Sequence, residues 1–198
     1  MKRIGLGVAL ALMIGGAGAG NDFDYCLLCH GANANGNFGI RAPKISGMET
    51  WYLARQLENF AAGLRGVPAD DASGHEMGPV GGRLMNEGTL DAAVQFIGKL
   101  ESKPPPVTLT GDTAHGKEIY QTCAACHGAS GEGNQALQAP ALASRSDWYL
   151  AKQIVNYQKG LRGADERDTL GAQMRAIVAT LSDEQAITDV VAYINTLN

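Results

Sequence analysis

The sequence predicts an all-α protein built from two copies of one domain, and three observations carry that expectation. First, Cys26-Leu27-Leu28-Cys29-His30-Gly31 returns 97 residues later as Cys123-Ala124-Ala125-Cys126-His127-Gly128. Second, the same offset, with no gap, pairs Pro43 with Pro140, Trp51-Tyr52-Leu53-Ala54 with Trp148-Tyr149-Leu150-Ala151, Gly63-Leu64-Arg65-Gly66 with Gly160-Leu161-Arg162-Gly163, Met77 with Met174 and Leu84 with Leu181. In all, 27 of 81 paired positions are identical, against about one in twenty for unrelated chains of average usage. Third, apolar residues recur at three- and four-residue steps and nowhere alternate with period two, so strands should be minor.

Taken in order, the chain opens with Lys2 and Arg3, an apolar run from Ile4 to Ile14 and the small residues Ala17-Gly18-Ala19. That is the charged, apolar and cleavage-site order of a secretory signal, placing a signal peptide at 1–19. The N-terminal domain is expected over 20–101. Within it, Trp51 to Leu64 and Leu90 to Leu100 read as amphipathic helices, with Gly66 as a stop signal for the first. Residues 102–110 contain Pro104-Pro105-Pro106, a semi-rigid extended linker. The C-terminal domain, 111–198, repeats the pattern at Trp148 to Leu161 and Ile187 to Leu197, where Ser182 and the acidic residues after it offer an N-terminal cap.

Composition excludes several functions. With 45% hydrophobic and 18% charged residues the chain is not disordered. A net charge of −4 and no clustered basic residues argue against nucleic acid. After signal removal no apolar run is long enough to span a bilayer, so any membrane association would be peripheral. The acidic balance suggests partners with a basic docking patch.

All 4 cysteines lie in the two Cys-x-x-Cys-His segments, the attachment signature of c-type haem. Thiols three positions apart on a helical turn can each add to a vinyl group, and the next residue can bind the iron. A zinc site, a thioredoxin-like pair or local disulfides explain the following histidines less well. Cys26, Cys29, Cys123 and Cys126 are therefore expected to carry two covalent haem c groups, with His30 and His127 as axial ligands. Met77 and Met174 each lie 47 residues after their histidine and are assigned as the opposite ligands, since a thioether there raises the potential relative to a second histidine. Met48, Met85 and His75 compete with Met77, but the repeat aligns them with Arg145, Ser182 and Ala172. His75 and His115 read as surface histidines. Pro43 and Pro140 either accept the Nδ1 proton of the axial histidines or are ordinary turn prolines. Trp51, Tyr52, Trp148 and Tyr149 either bind haem propionates or pack, and Arg65 and Arg162 either pair with a propionate or solvate helix ends. Two haems also answer a shortage: 6% aromatic residues must fill two small cores.

These motifs resemble class I c-type cytochromes, and the doubled form is similar to the dihaem cytochrome c4 family over essentially the whole exported chain. The resemblance implies two cytochrome c folds related by an approximate two-fold axis. It implies a non-enzymatic periplasmic electron carrier, taking electrons from a quinol-oxidising complex or a dehydrogenase and passing them to an acceptor such as an oxidase. The alternative is an electron-accepting subunit of a dehydrogenase for sulfur compounds or alcohols, with a dihaem peroxidase further behind. Two departures stand out. About six residues precede Cys26, so the first helix of the N-terminal domain must be short and that domain the less stable. Gly78-Pro79-Val80-Gly81-Gly82 replaces the apolar run of the other half.

Overall fold

The computed structural model describes residues 22–67 and 70–197, so the signal peptide expected at 1–19 lies outside the described residues. The first half begins with α1 (Tyr25–His30), followed by two 3-10 turns, then α2 (Thr50–Ala61), α3 (Ala72–His75), α4 (Met77–Asn86) and α5 (Leu90–Gly98). The second half contains α6 (Thr113–His127), α7 (Asp147–Gln158), α8 (Thr169–Val178) and α9 (Glu184–Ile194). Among the described residues there are helices, turns and three isolated bridges, with no strand.

In the first half Leu53, Leu84, Leu90, Ala93, Val94 and Ile97 form the buried centre. Each large apolar side chain there contributes about 1.5–3 kcal/mol relative to exposure. Helix α4 was not legible as a helix, because Gly78, Pro79, Gly81 and Gly82 all read as breakers. Pro79 is tolerated because it sits in the first turn, where its missing N–H would have had no helical partner. Gly81 explains part of the glycine run: a Cβ there would lie 2.6 Å from the Leu57 carbonyl, so its absence lets α4 lie directly on α2.

The repeat equivalent of α4 on α2 is α8 on α7, but in the second half the closest crossing is α6 on α9. Asp112 caps α6, accepting from the Ala114 and His115 N–H groups. At Gly116 a Cβ would run into the Asp189 carbonyl, so the two helices meet backbone to backbone. Helix α1 has 6 residues where α6 has 15, as the short N-terminal lead required. The segment before α1 is held instead by Phe23 against Phe96 of α5, ring centroids 6.0 Å apart.

Two expected boundaries move. Helix α2 ends at Ala61, three residues short of Leu64, because the Leu64 N–H turns back onto the Asn59 carbonyl and closes the helix. Helix α9 is capped by Asp183, which accepts from the Ala186 N–H, while the Ser182 hydroxyl donates to the Asp183 carboxylate. The longer acidic side chain reaches the helix end that the serine supports from outside.

The α6–α9 crossing carries a titrating latch with no counterpart in the first half. The buried Asp189 carboxylate accepts from His115 Nδ1, the Asp112 N–H and Gln185 Nε2, each at 2.8 Å. The His115 pKa is raised, chiefly by its hydrogen bond to Asp189, and that of Asp189 is lowered, chiefly by His115. The histidine's contribution is complete below its unfolded pKa of about 6.5 and is lost as pH rises through its higher folded value. The aspartate's is complete above about 3.9 and is lost as pH falls through its lower folded value. The chain should therefore lose stability as pH rises above about 6.5, and His115→Gln should remove that slope; thermal unfolding against pH checks it.

Residues 102–110 adopt no regular structure. The segment is tied at both ends. Asn35 receives the Lys103 N–H at 2.8 Å, and the buried Asp147 carboxylate accepts from the Thr108 and Leu109 N–H groups and the Thr108 hydroxyl. Burial works against the charge of Asp147, but these hydrogen bonds outweigh it and hold the carboxyl below its ordinary range.

Candidate functional site

Each half contains one large cavity opening at its Cys-x-x-Cys-His segment. The first, about 820 Å³, is lined by Cys26, Cys29, His30 and Met77; the second, about 680 Å³, by Cys123, Cys126, His127 and Met174. Both lie within the range of cofactor sites. The i, i+3 spacing on α1 and α6 places both thiols of a pair on one helix face. Cys26 and Cys123 are half-buried and Cys29 and Cys126 exposed. Burial pushes the Cys26 and Cys123 thiols up.

His30 and His127 end their helices and are 7% and 5% exposed. His30 Nδ1 donates to the Pro43 carbonyl at 2.7 Å and His127 Nδ1 to the Pro140 carbonyl at 2.7 Å. Both prolines thus take the accepting role, and each ring is locked in the tautomer that frees Nε2. His127 Nε2 is buried with no hydrogen-bond partner, a cost that a metal bond would remove. Desolvation lowers both histidine pKa values against the proline hydrogen bond, and at His127 the Glu49 charge also opposes it.

Among the competitors of Met77, geometry separates the candidates. His75 Nδ1 bonds the Gly66 carbonyl at 3.2 Å, and neither His75 nor the exposed Met85 belongs to the cavity wall. Met48 does: it lines both cavities. Asp168 positions the segment carrying Met174, accepting the Gly171 N–H at 2.9 Å; its repeat partner Asp71 is equally buried and lies 3.8 Å from Lys152 Nζ of the other half.

Both cavities are completed across the interface. Tyr149 and Gln153 reach the first cavity, and Tyr52 and Gln56 the second. At the centre Arg65 and Arg162 meet in an antiparallel bridge. Gln56 Oε1 accepts from Arg65 and Arg162, each at 2.7 Å, and Gln153 Oε1 accepts from both at 2.9 Å. The Tyr149 hydroxyl accepts from Arg65 and that of Tyr52 from Arg162. Among the described residues no carboxylate lies within ion-pairing distance of either guanidinium. Arg65 Nε is buried without a partner. Two buried cations and an orphaned donor facing the cavities fit a cofactor that brings its own carboxylates. Trp51 lies under Arg55, and Trp148 meets Phe38 edge-on across the interface while also lining the first cavity.

Sequence reasoning missed a third group of interface residues. Glu49 Oε1 accepts the Ala141 N–H at 2.6 Å, and Arg145 donates to the Gly47 carbonyl at 2.9 Å. Lys44, fully buried, donates through Nζ to the Ser144 carbonyl at 3.1 Å. Burial and Arg145 lower the Lys44 pKa to about 8. Their aligned partners differ in type, so the repeat gave no signal for them.

The cytochrome c family profile matches residues 113–198. Cytochrome c4 of Azotobacter vinelandii is 31% identical over 96% of this chain and 92% of its own length. A thiosulfate dehydrogenase electron acceptor of Stutzerimonas stutzeri is 31% identical over 77% of this chain and 71% of its own. In structure, cytochrome c4 of Acidithiobacillus ferrooxidans superposes with a TM-score of 0.67 at 25% identity, covering 86% of this chain and 98% of that one.

Proposed function

This chain belongs to the cytochrome c4 family and carries covalent haem c, and from that premise we propose that it is a periplasmic dihaem electron carrier between a quinol-oxidising complex or dehydrogenase and an oxidase or similar acceptor. The bound haem supplies a one-electron couple at its iron. The chain's residues do the rest. Cys26 and Cys29, and Cys123 and Cys126, hold the two groups through thioethers. His30 and Met77 would hold the first iron, and His127 and Met174 the second. Pro43 and Pro140 fix the histidine tautomers, and Arg65 and Arg162 offset the propionate charge at the interface.

The observation that carries this reading is the equivalent pair of a tautomer-locked histidine and a methionine in each cavity wall. An iron held by both a histidine and a methionine would exchange electrons and leave no place for a substrate. The test is the absorption of the exported, purified protein, oxidised and reduced, with haem quantified. Two low-spin haems per chain that do not bind carbon monoxide support the carrier. A high-spin haem, or ready carbon monoxide binding, would favour the enzyme reading.

Similarity to the Stutzerimonas stutzeri thiosulfate dehydrogenase electron acceptor favours a second reading of the donor, a periplasmic dehydrogenase for sulfur compounds. Rapid reduction of this chain by such a dehydrogenase and its substrate, and none without substrate, would identify it.

A further inference from the structure

The two peptide units that fix the axial histidines are alike on the inner side and different on the outer. In the second half the Pro140 carbonyl accepts His127 Nδ1–H, and the N–H of the same peptide unit, on Ala141, donates to Glu49 Oε1 at 2.6 Å. In the first half the Pro43 carbonyl accepts His30 Nδ1–H, and the N–H of that unit, on Lys44, donates to Ser146 Oγ at 3.4 Å. Glu49 and Ser146 occupy equivalent positions of the 97-residue repeat. Each half therefore reaches across the interface to the other's histidine relay, one with a carboxylate and the other with a hydroxyl.

The difference has electronic consequences. A hydrogen bond to an ionised acceptor is about twice as strong as a neutral one, and bonds in series polarise one another. A carboxylate on the amide N–H pushes electron density onto the amide oxygen, which then draws more strongly on the imidazole Nδ1 proton. The ring becomes the more basic, as other outer partners make metal-bound histidines. Arg145 Nη2 lies 3.5 Å from Glu49 Oε2, the oxygen not used by Ala141, and so orients the carboxylate.

We propose that Glu49 is an interdomain positioning residue that makes His127 a stronger donor than His30 and so selectively lowers the reduction potential of the C-terminal haem. The proposal rests on His30 and His127 being the axial ligands. It makes the contact between the halves a determinant of how the two haems share an electron: separating them would raise the second potential toward its untuned value.

Glu49→Gln tests it, because the amide oxygen can still accept the Ala141 N–H while the charge is gone. Potentiometric titration followed through haem methyl resonances, which distinguish the two haems, should show the C-terminal potential rising and the N-terminal one unmoved. The expected change in the inter-haem sharing constant is on the order of threefold to tenfold, tenfold being about 59 mV for a one-electron couple. The 15N resonance of His127 Nδ1 should move toward that of His30, a readout a merely structural contact would leave in place. Should the mutation misfold the interface, Ser146→Asp in the unmodified background should lower the N-terminal potential alone. Equal shifts at both haems, no shift, or a shift at the N-terminal haem would overturn the proposal while leaving the ligation intact. Loss of low-spin histidine ligation in the unmodified protein would overturn both readings, and its own spectrum reveals that.

Discussion

Replacing Met174 by alanine is expected to remove about half of the far-red sulfur-to-iron absorption and to open one iron per chain to carbon monoxide, because each iron would hold one methionine sulfur. Met77→Ala should do the same at the other haem, and the double variant should lose the band entirely. In each case the altered haem falls in potential, since the thioether is what holds it above a histidine- or water-ligated iron. Met174 is the only methionine of the second half, but Met48 lines the second cavity as well as the first, so each single variant is compared with its Met48 double variant. If the band keeps its full strength in Met77→Ala and falls by half only when Met48 is removed as well, Met48 is the first ligand. His75 makes no such claim, being turned to the Gly66 carbonyl outside the cavity wall. Absorption and carbon monoxide titration of the purified variants, with haem counted per chain, decide among these outcomes.

What could be read from the sequence followed from two kinds of signal. Period and repetition located α2, α7, α5 and α9, and spacing located the cysteines, histidines and methionines of the cavity walls. Helices α4 and α8 escaped because their cause is not periodicity. Gly81 serves α2 by its small size and Pro79 sits where its ring does no harm, so residues that read as loop punctuation belong to a helix set by tertiary contact. The interface escaped for a different reason. Glu49 meets Ala141 and Arg145 meets Gly47 across more than 90 residues of chain, and nothing in either local pattern announces the partner. Arg65 and Arg162 left a trace as a repeated pair, as did Tyr52 and Tyr149. A two-fold arrangement brings equivalent residues together near its axis, so a duplicated, buried, charged residue is a signature of the axis itself, although the sequence could not tell this from a helix-end arginine.

Removing one of these arginines should be the most destabilising single change at the interface. Arg162→Met is expected to cost the haem-loaded protein about 3–5 kcal/mol, the usual result of leaving a buried charge without its partner. The reasoning turns on where the charges are. Arg65 and Arg162 repel each other, and their four neutral partners, Gln56, Gln153, Tyr52 and Tyr149, hold the guanidiniums without cancelling their charge. Two such cations are tolerable in a buried site only with anions beside them, and the propionates are the anions the cavities would bring. With haem in place, losing Arg162 therefore strips the counter-charge from a buried carboxylate and orphans the Tyr52 hydroxyl together. It also removes a positive charge near the iron, which favours the ferric state and lowers the potential. Guanidinium unfolding followed through haem absorbance measures the first effect and redox titration the second. Arg162→Lys separates them: the retained charge should restore most of the potential, while the lost fork to Gln56 and Gln153 leaves part of the stability deficit. A loss below about 1 kcal/mol in Arg162→Met, the range of an exposed pair, together with an unmoved potential, would mean that the propionates are neutralised elsewhere and that the arginine ring is scaffolding for the interface alone.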